Sequence, residues 1–98
     1  MTTKEHIVAT LQYHKPAFEQ LGVSNIGLFG SYLRNEQTLN SDIDIFIDFA
    51  PEQETFDNFM GAYDLLEQLF KEDKIEVVTK NGLSKHIGSY ILSSVEYV

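Results

Sequence analysis

The chain has 98 residues, no cysteine, and 15 acidic against 7 basic side chains, for a formal net charge of −8. The length predicts a single domain over residues 1–98, and the missing cysteines exclude disulfides and thiolate metal sites within it. The acidity argues against direct nucleic-acid binding, and it fits either a basic protein partner or a surface that only keeps the protein solvated. With no long apolar run and no signal-peptide pattern, we expect a cytoplasmic protein with no membrane segment.

The first 22 residues predict two helical pieces. Apolar side chains at helical spacing predict a helix from Thr2 to about Tyr13, with Thr2 or Thr3 as its N-cap. Pro16 favours a second short piece, which Gly22 ends. The apolar positions of the two pieces are Ile7, Val8, Leu11, Phe18 and Leu21.

A short strand followed by a turn comes next. Ile26 to Phe29 predict the strand, and Gly30-Ser31 breaks it before a short helix. A Gly-Ser pair at such a turn leaves backbone N–H groups and a hydroxyl available to a phosphate. Arg34, the only arginine, lies one turn later and can reach the same anion. An ordinary tight turn is the alternative interpretation.

The second strand, about Asp42 to Phe49, alternates strictly between two faces. One face is apolar and predicts a core contact, and the other is acidic. Asp42 and Asp44 therefore lie side by side, roughly 7 Å apart along the strand. Paired carboxylates of this kind suit Mg²⁺ and phosphate chemistry, and a half-exposed edge strand with an acidic face is the alternative interpretation. The apolar face carries Ile43, Ile45, Ile47 and Phe49, and the acidic face carries Asp42, Asp44, Phe46 and Asp48.

A long amphipathic helix follows. Thr55 is a good N-cap for a helix from Phe56 to about Glu72. Five apolar residues at three- and four-residue steps predict its buried stripe. They are Phe56, Phe59, Tyr63, Leu66 and Phe70.

The third strand, Ile75 to Thr79, carries Glu76 on the side opposite to its apolar neighbours. If this strand lies beside the second strand, Glu76 shares the acidic face. From Leu83 to Leu92 the pattern is weakly helical, with Ile87 and Ile91 directed inward. The tail from residue 93 to residue 98 is either a last short strand or disordered.

Gly30-Ser31, ten residues and then Asp42-Ile43-Asp44 resemble the signature of the DNA polymerase β-like nucleotidyltransferase superfamily. The resemblance extends from about Ile26 to Thr79. The short chain is similar to the smallest branch, the minimal nucleotidyltransferases found as antitoxins beside HEPN-domain toxins. It implies the α/β (α+β) palm of that superfamily, a short mixed β-sheet with helices on one face.

The resemblance also implies an activity. Asp42, Asp44 and Glu76 would hold Mg²⁺, with Glu76 at a position that is usually aspartate in the family. ATP would bind with its triphosphate over the Gly30-Ser31 turn and near Arg34. AMP would then pass to a hydroxyl, a tyrosine by family resemblance, on a HEPN-domain toxin, as in a type VII toxin-antitoxin pair.

Two alternatives remain open. Glu76 in place of aspartate, and Leu33 and Asn35 beside the arginine where the family commonly has a small residue and a glycine, favour a binding-only antitoxin with a decayed nucleotide site. A small-molecule nucleotidyltransferase is the other alternative. Such enzymes usually bring a further substrate-binding domain, for which this chain has little room.

Overall fold

The computed structural model of the chain describes residues 2–82 and 85–98, with all side chains in these ranges except those at 85–87, 89 and 90. Helices and strands alternate through most of the described chain. In order they are α1 (Lys4–Tyr13), α2 (Lys15–Gln20), β1 (Val23–Phe29), α3 (Gly30–Leu33), β2 (Ile43–Phe49), α4 (Phe56–Leu69), β3 (Ile75–Thr79), a 3₁₀ turn (Lys80–Gly82), α5 (Lys85–Ser94) and β4 (Glu96–Tyr97).

The strands form one mixed sheet in the order β3-β2-β1-β4. β1 runs antiparallel to both β2 and β4, whereas β2 and β3 are parallel and are joined through α4. Asp44 lies on β2, one of the two inner strands, opposite Phe29 of β1 and Glu76 of β3. The predicted α/β class with a short mixed sheet is confirmed.

The core lies between one face of this sheet and helices α1, α2 and α4. The strict alternation predicted for the second strand is confirmed, because its apolar face is buried throughout. The side chains in the core include Ile43, Ile45, Ile47 and Phe49 from β2, and Ile7, Leu11, Phe18, Ala62, Leu66 and Phe70 from the helical side.

The prediction that Phe56 belongs to the buried stripe of α4 is wrong. Phe56 is 78% exposed, while Phe59 and Tyr63 are half-buried. Phe56 is the first residue of the helix and follows an exposed loop. It lines a shallow depression with Thr79, where the edge strand β3 ends. The side chain of this first helical residue therefore faces solvent rather than the core.

Several element boundaries also differ from the predictions. β1 begins at Val23 rather than at Ile26, because Val23 pairs with Phe49 across an irregularity in the ladder. The polar residues after Val23 hid this part of the strand in the sequence pattern. α4 ends at Leu69 rather than Glu72, since Phe70 leaves the helical conformation at φ −125° and ψ 56°.

The predicted helix N-caps are confirmed. Thr55 Oγ1 accepts from the Asn58 N–H at 3.1 Å. Thr3, one of the two predicted caps of the first helix, accepts from the His6 N–H at 3.2 Å. Each cap satisfies one of the N–H groups that a helix leaves without an internal acceptor.

The C-terminal tail forms a strand, the first of the two predicted alternatives. β4 pairs with Gly27 and Leu28 of β1. A side chain at position 27 would clash with Val95, so the bare glycine lets the tail lie against the sheet. Tyr97 meets Phe46 edge-on with ring centroids 6.0 Å apart.

Phe46 is itself only 1% exposed, so the face opposite the main core is covered at this point rather than open. Of the predicted C-terminal helix, Leu83 and the Ile87 side chain lie outside the described residues, whereas Ile91 is half-buried. No helix within the described ranges is long and apolar enough to cross a membrane.

Candidate functional site

The Gly30 turn lies directly against the Asp44 carboxylate. β1 ends at Phe29, which pairs with Asp44, so the turn begins beside that side chain. Gly30 has φ +77°, a conformation that side chains other than glycine's rarely adopt. A Cβ atom at position 30 would also clash with Asp44 Oδ2. Only glycine therefore lets the turn approach the carboxylate so closely.

Asp44 and Glu76 form a carboxyl pair across β2 and β3. The parallel register places the two residues side by side, so their carboxyl groups can share a hydrogen bond while one of them is protonated. Burial, the hydrogen bond to Glu76 and the negative charges of Glu76 and Asp42 raise the pKa of Asp44 from 3.8 to about 6, against the opposing charge of Arg34.

Asp42 lies one residue before β2 and is half-buried. Its charge contributes to the raised pKa of Asp44, which places the two groups in one electrostatic field. Within residues 2–82 and 85–98, however, no three His, Cys, Asp or Glu side chains are arranged so that they could hold a metal ion. Of the predicted metal ligands, Asp44 and Glu76 are the two whose side chains lie next to each other.

This pair fits the requirements of Mg²⁺. Carboxylate oxygens are its preferred protein ligands, and one or two suffice when water and phosphate complete the shell. The two carboxyl groups are already close enough to bond, and a divalent cation would relieve the repulsion that raises the Asp44 pKa.

The phosphate-facing residues that the sequence predicted lie on and after α3. Ser31 is half-buried in the single turn of that helix, whose first N–H groups have no acceptor within it. Arg34 caps the helix and is exposed. The positive charge of Arg34 lowers the Asp44 pKa, which shows that the guanidinium acts on the same site.

Glu36 is a residue at the site that sequence reasoning missed. Its Oε1 accepts a hydrogen bond from Arg34 Nε. Both side chains are largely exposed, and exposed ion pairs contribute about 0–1 kcal/mol, so a phosphate can compete with Glu36 for the guanidinium. The opposite charges of Arg34 and Glu36, two residues apart in the sequence, were the signal that could have predicted this ion pair. Asp48, by contrast, lies opposite Asn25 toward the other end of β2, away from these groups.

Comparisons with known proteins identify the family of this chain. Residues 11–98 match the family model of the nucleotidyltransferase domain. Over its whole length the chain is 37% identical to the protein adenylyltransferase MntA of Thermococcus cleftensis, of which it covers 98%.

Two solved structures share the fold. A minimal nucleotidyltransferase superposes with a TM-score of 0.83 at 21% identity, over 97% of this chain and 95% of the other. A toxin-antitoxin crystal structure with AMP-PNP superposes with a TM-score of 0.64 at 24% identity, over 98% of this chain and 72% of the other. The resemblance first seen in Gly30-Ser31 and Asp42-Ile43-Asp44 is thus confirmed, and the chain belongs to the nucleotidyltransferase family.

Proposed function

We propose that residues 1–98 act as one domain that transfers AMP from ATP, with Mg²⁺, to a tyrosine hydroxyl of a partner HEPN-domain toxin. The chain would be the cytoplasmic antitoxin of a type VII pair. The observation that carries this proposal is the Asp44–Glu76 carboxyl pair held against the Gly30 turn. This arrangement would bring a divalent cation and the ATP phosphates together, as nucleotidyl transfer requires.

The phosphate end of ATP is assigned to the turn and to Arg34. Gly30 lets the backbone come close, while Ser31 supplies a hydroxyl and neighbouring N–H groups that can donate to phosphate oxygens. The Arg34 guanidinium would exchange Glu36 for a phosphate oxygen, since a charge-assisted bond to the more highly charged triphosphate is the stronger of the two.

The metal end is assigned to Asp44 and Glu76, with Asp42 beside them. When bound, Mg²⁺ would lower the pKa of the attacking hydroxyl and offset negative charge on the phosphates. Asp44 and Glu76 lie on paired strands, so the sheet holds these two ligands in fixed positions.

The reaction itself is an in-line displacement. The tyrosine oxygen forms a bond to the α-phosphorus of ATP, and the bond from that phosphorus to the bridging oxygen of pyrophosphate breaks. The hydroxyl proton is released, and the partner gains one AMP. Little covalent chemistry falls to the protein, so positioning and electrostatics provide most of the rate.

Two kinds of support point to a protein partner. The net charge of −8 favours association with a basic protein surface. The relatives include a protein named adenylyltransferase MntA, and a toxin-antitoxin complex shares the fold.

A second candidate function is binding-only neutralisation of the same partner. It is favoured by the absence, in the part of the chain that the structure describes, of an assembled three-residue metal site. In that case neutralisation would need neither ATP nor Mg²⁺.

The test is the intact mass of the protein encoded beside this chain, measured after incubation with this chain, ATP and Mg²⁺. We expect a gain of whole adenylyl units that disappears with Asp42→Asn/Asp44→Asn and persists with Asp48→Asn, the matched carboxylate change at the other end of β2. No gain, with the partner still neutralised in a complex, would replace enzymatic transfer by binding-only neutralisation.

A further inference from the structure

A ridge of aromatic side chains emerges from the core along one side of α4. Phe56, Phe59 and Tyr63 follow one another at three- and four-residue steps, so they lie on one face of the helix. Phe59 and Tyr63 are half-buried, with ring centroids 6.4 Å apart, whereas Phe56 is 78% exposed. The exposure of this aromatic ridge therefore increases toward the start of the helix.

The aromatic ridge borders a depression of about 290 Å³ at the edge of the sheet. The edge strand β3 ends there at Thr79, which lies three residues beyond Glu76, roughly 10 Å along the strand. A protein seated in the depression would therefore have its neighbouring residues within reach of the Asp44–Glu76 pair. The residues that line the depression are Glu54, Thr55, Phe56, Phe59 and Thr79.

Exposed aromatic surface of this kind favours a protein contact. Aromatic residues are enriched in the cores of interfaces, where a few buried anchors provide most of the binding energy. Phe56 is largely exposed in the free chain, so its burial against a partner would remove apolar surface from water and stabilise the complex. Because Phe59 lines the same depression, the contact would extend along the ridge rather than depend on one isolated ring.

The charge around the aromatic ridge favours a basic partner over a second copy of this chain. Glu54 lines the depression, and Asp57 follows Phe56 in the first turn of α4; both are exposed. Lys80, at the start of the 3₁₀ turn, offsets part of this charge. Residues 35–70, which contain β2 and α4, include nine of the 15 acidic residues and no lysine or arginine. Two copies that met through their ridges would bring these like charges together.

We propose that the aromatic ridge and the depression beside it dock the partner protein, through a segment whose apolar side chains are flanked by lysine or arginine. Phe56 is the anchor of this contact, and Glu54 and Asp57 face the positive charges of the partner. The inference rests on the proposed function for the identity of the partner alone. Docking does not require AMP transfer, so either proposal can fail by itself.

The experiment is biolayer interferometry of this chain on the immobilised protein encoded beside it, without ATP and Mg²⁺. Phe56→Ala should weaken binding about tenfold, mainly through faster dissociation, because it removes an aromatic anchor. Tyr13→Ala removes an aromatic side chain that is 81% exposed at the end of α1, and it should leave the affinity unchanged. Because Phe56 is exposed, its variant should keep the wild-type midpoint in urea denaturation.

A second pair of variants tests the charges. Glu54→Gln/Asp57→Asn should slow association about threefold at low salt and have little effect at high salt, since salt screens the attraction between surface charges. Glu5→Gln/Glu19→Gln removes two exposed charges from α1 and α2 and should have a smaller effect. Equal slowing by the two double variants would show that the overall charge, and not the rim of the aromatic ridge, attracts the partner, and would overturn the assigned roles of Glu54 and Asp57.

The transfer reaction gives an independent readout. Phe56→Ala should raise the KM for the partner about tenfold and leave kcat and the KM for ATP unchanged, because Phe56 lies away from the reacting groups. AMP transfer without a Phe56-dependent complex would overturn the docking alone, whereas a Phe56-dependent complex without AMP transfer would overturn the transfer alone. Equal weakening by Phe56→Ala and Tyr13→Ala, no complex at all, or a Phe56-dependent dimer of this chain in analytical ultracentrifugation would each overturn the docking.

Discussion

Asp44→Asn should stabilise the metal-free protein at neutral pH. Asp44 has a pKa of about 6 in the folded chain, because burial, the Glu76 hydrogen bond and neighbouring negative charges disfavour its ionised form, against an ordinary value of 3.8. Between these two pH values the folded state binds more protons than the unfolded state. The free energy of unfolding therefore falls as pH rises from about 4 to 6 and stays lower above that.

The size of this loss follows from the two pKa values. At about 1.4 kcal/mol per pH unit the difference corresponds to about 3 kcal/mol, and solvent screening of this part-exposed group reduces it to about 1 kcal/mol. Asparagine removes the charge and keeps the shape, so the variant should gain about 1 kcal/mol at pH 7. The wild-type protein should recover a similar amount at acid pH.

The assay is urea denaturation in EDTA, from pH 4 to pH 8, for the wild-type protein, Asp44→Asn and Asp48→Asn. Asp48 lies on the same strand, so its substitution controls for loss of one negative charge from β2. If the difference between wild type and Asp44→Asn is independent of pH, or if Asp48→Asn gives the same gain, the reasoning from a crowded carboxyl pair is wrong. Added Mg²⁺ should stabilise the wild-type protein more than Asp44→Asn, as a bound ligand does.

Three further changes test the fold and the turn. Gly30→Ala should cost about 2 kcal/mol by urea denaturation and abolish AMP transfer, because it strains a positive φ and clashes with Asp44; near-normal values would show that the turn can relax. Thr55→Ala should cost about 1 kcal/mol through loss of the cap of α4, and an unchanged midpoint would contradict the cap. Leu66→Ala should cost about 2–5 kcal/mol because Leu66 is fully buried, whereas Phe56→Ala should cost less than about 0.5 kcal/mol because Phe56 is exposed. Equal costs for the two substitutions would contradict this difference in burial.

Period-two alternation explains why the second strand was predicted well. Ile43, Ile45 and Ile47 are fully buried because a one-residue change of register would move all of them to the other face. The Gly30 turn was also predictable, since glycine before a short helix is a local signal. Both predictions rest on residues close together in the sequence.

The predictions that needed distant contacts were less complete. Glu76 was placed beside Asp44 only on the condition that β2 and β3 are neighbours, and strand order is set by the whole sheet rather than by either strand. Phe56 fits the helical period but is exposed at the first position of α4, and periodicity does not tell how much of a helix end the core covers.

The position of the acidic pair within the sheet explains how the fold tolerates it. Crowding two carboxyl groups costs the metal-free protein about 1 kcal/mol. Asp44 is flanked on β2 by Ile43 and Ile45, both with no exposed surface, and burying each such side chain contributes about 1.5–3 kcal/mol. β2 is also bonded to a strand on either side. The repulsion between the two carboxyl groups therefore falls on an inner strand whose buried neighbours and two ladders hold its register.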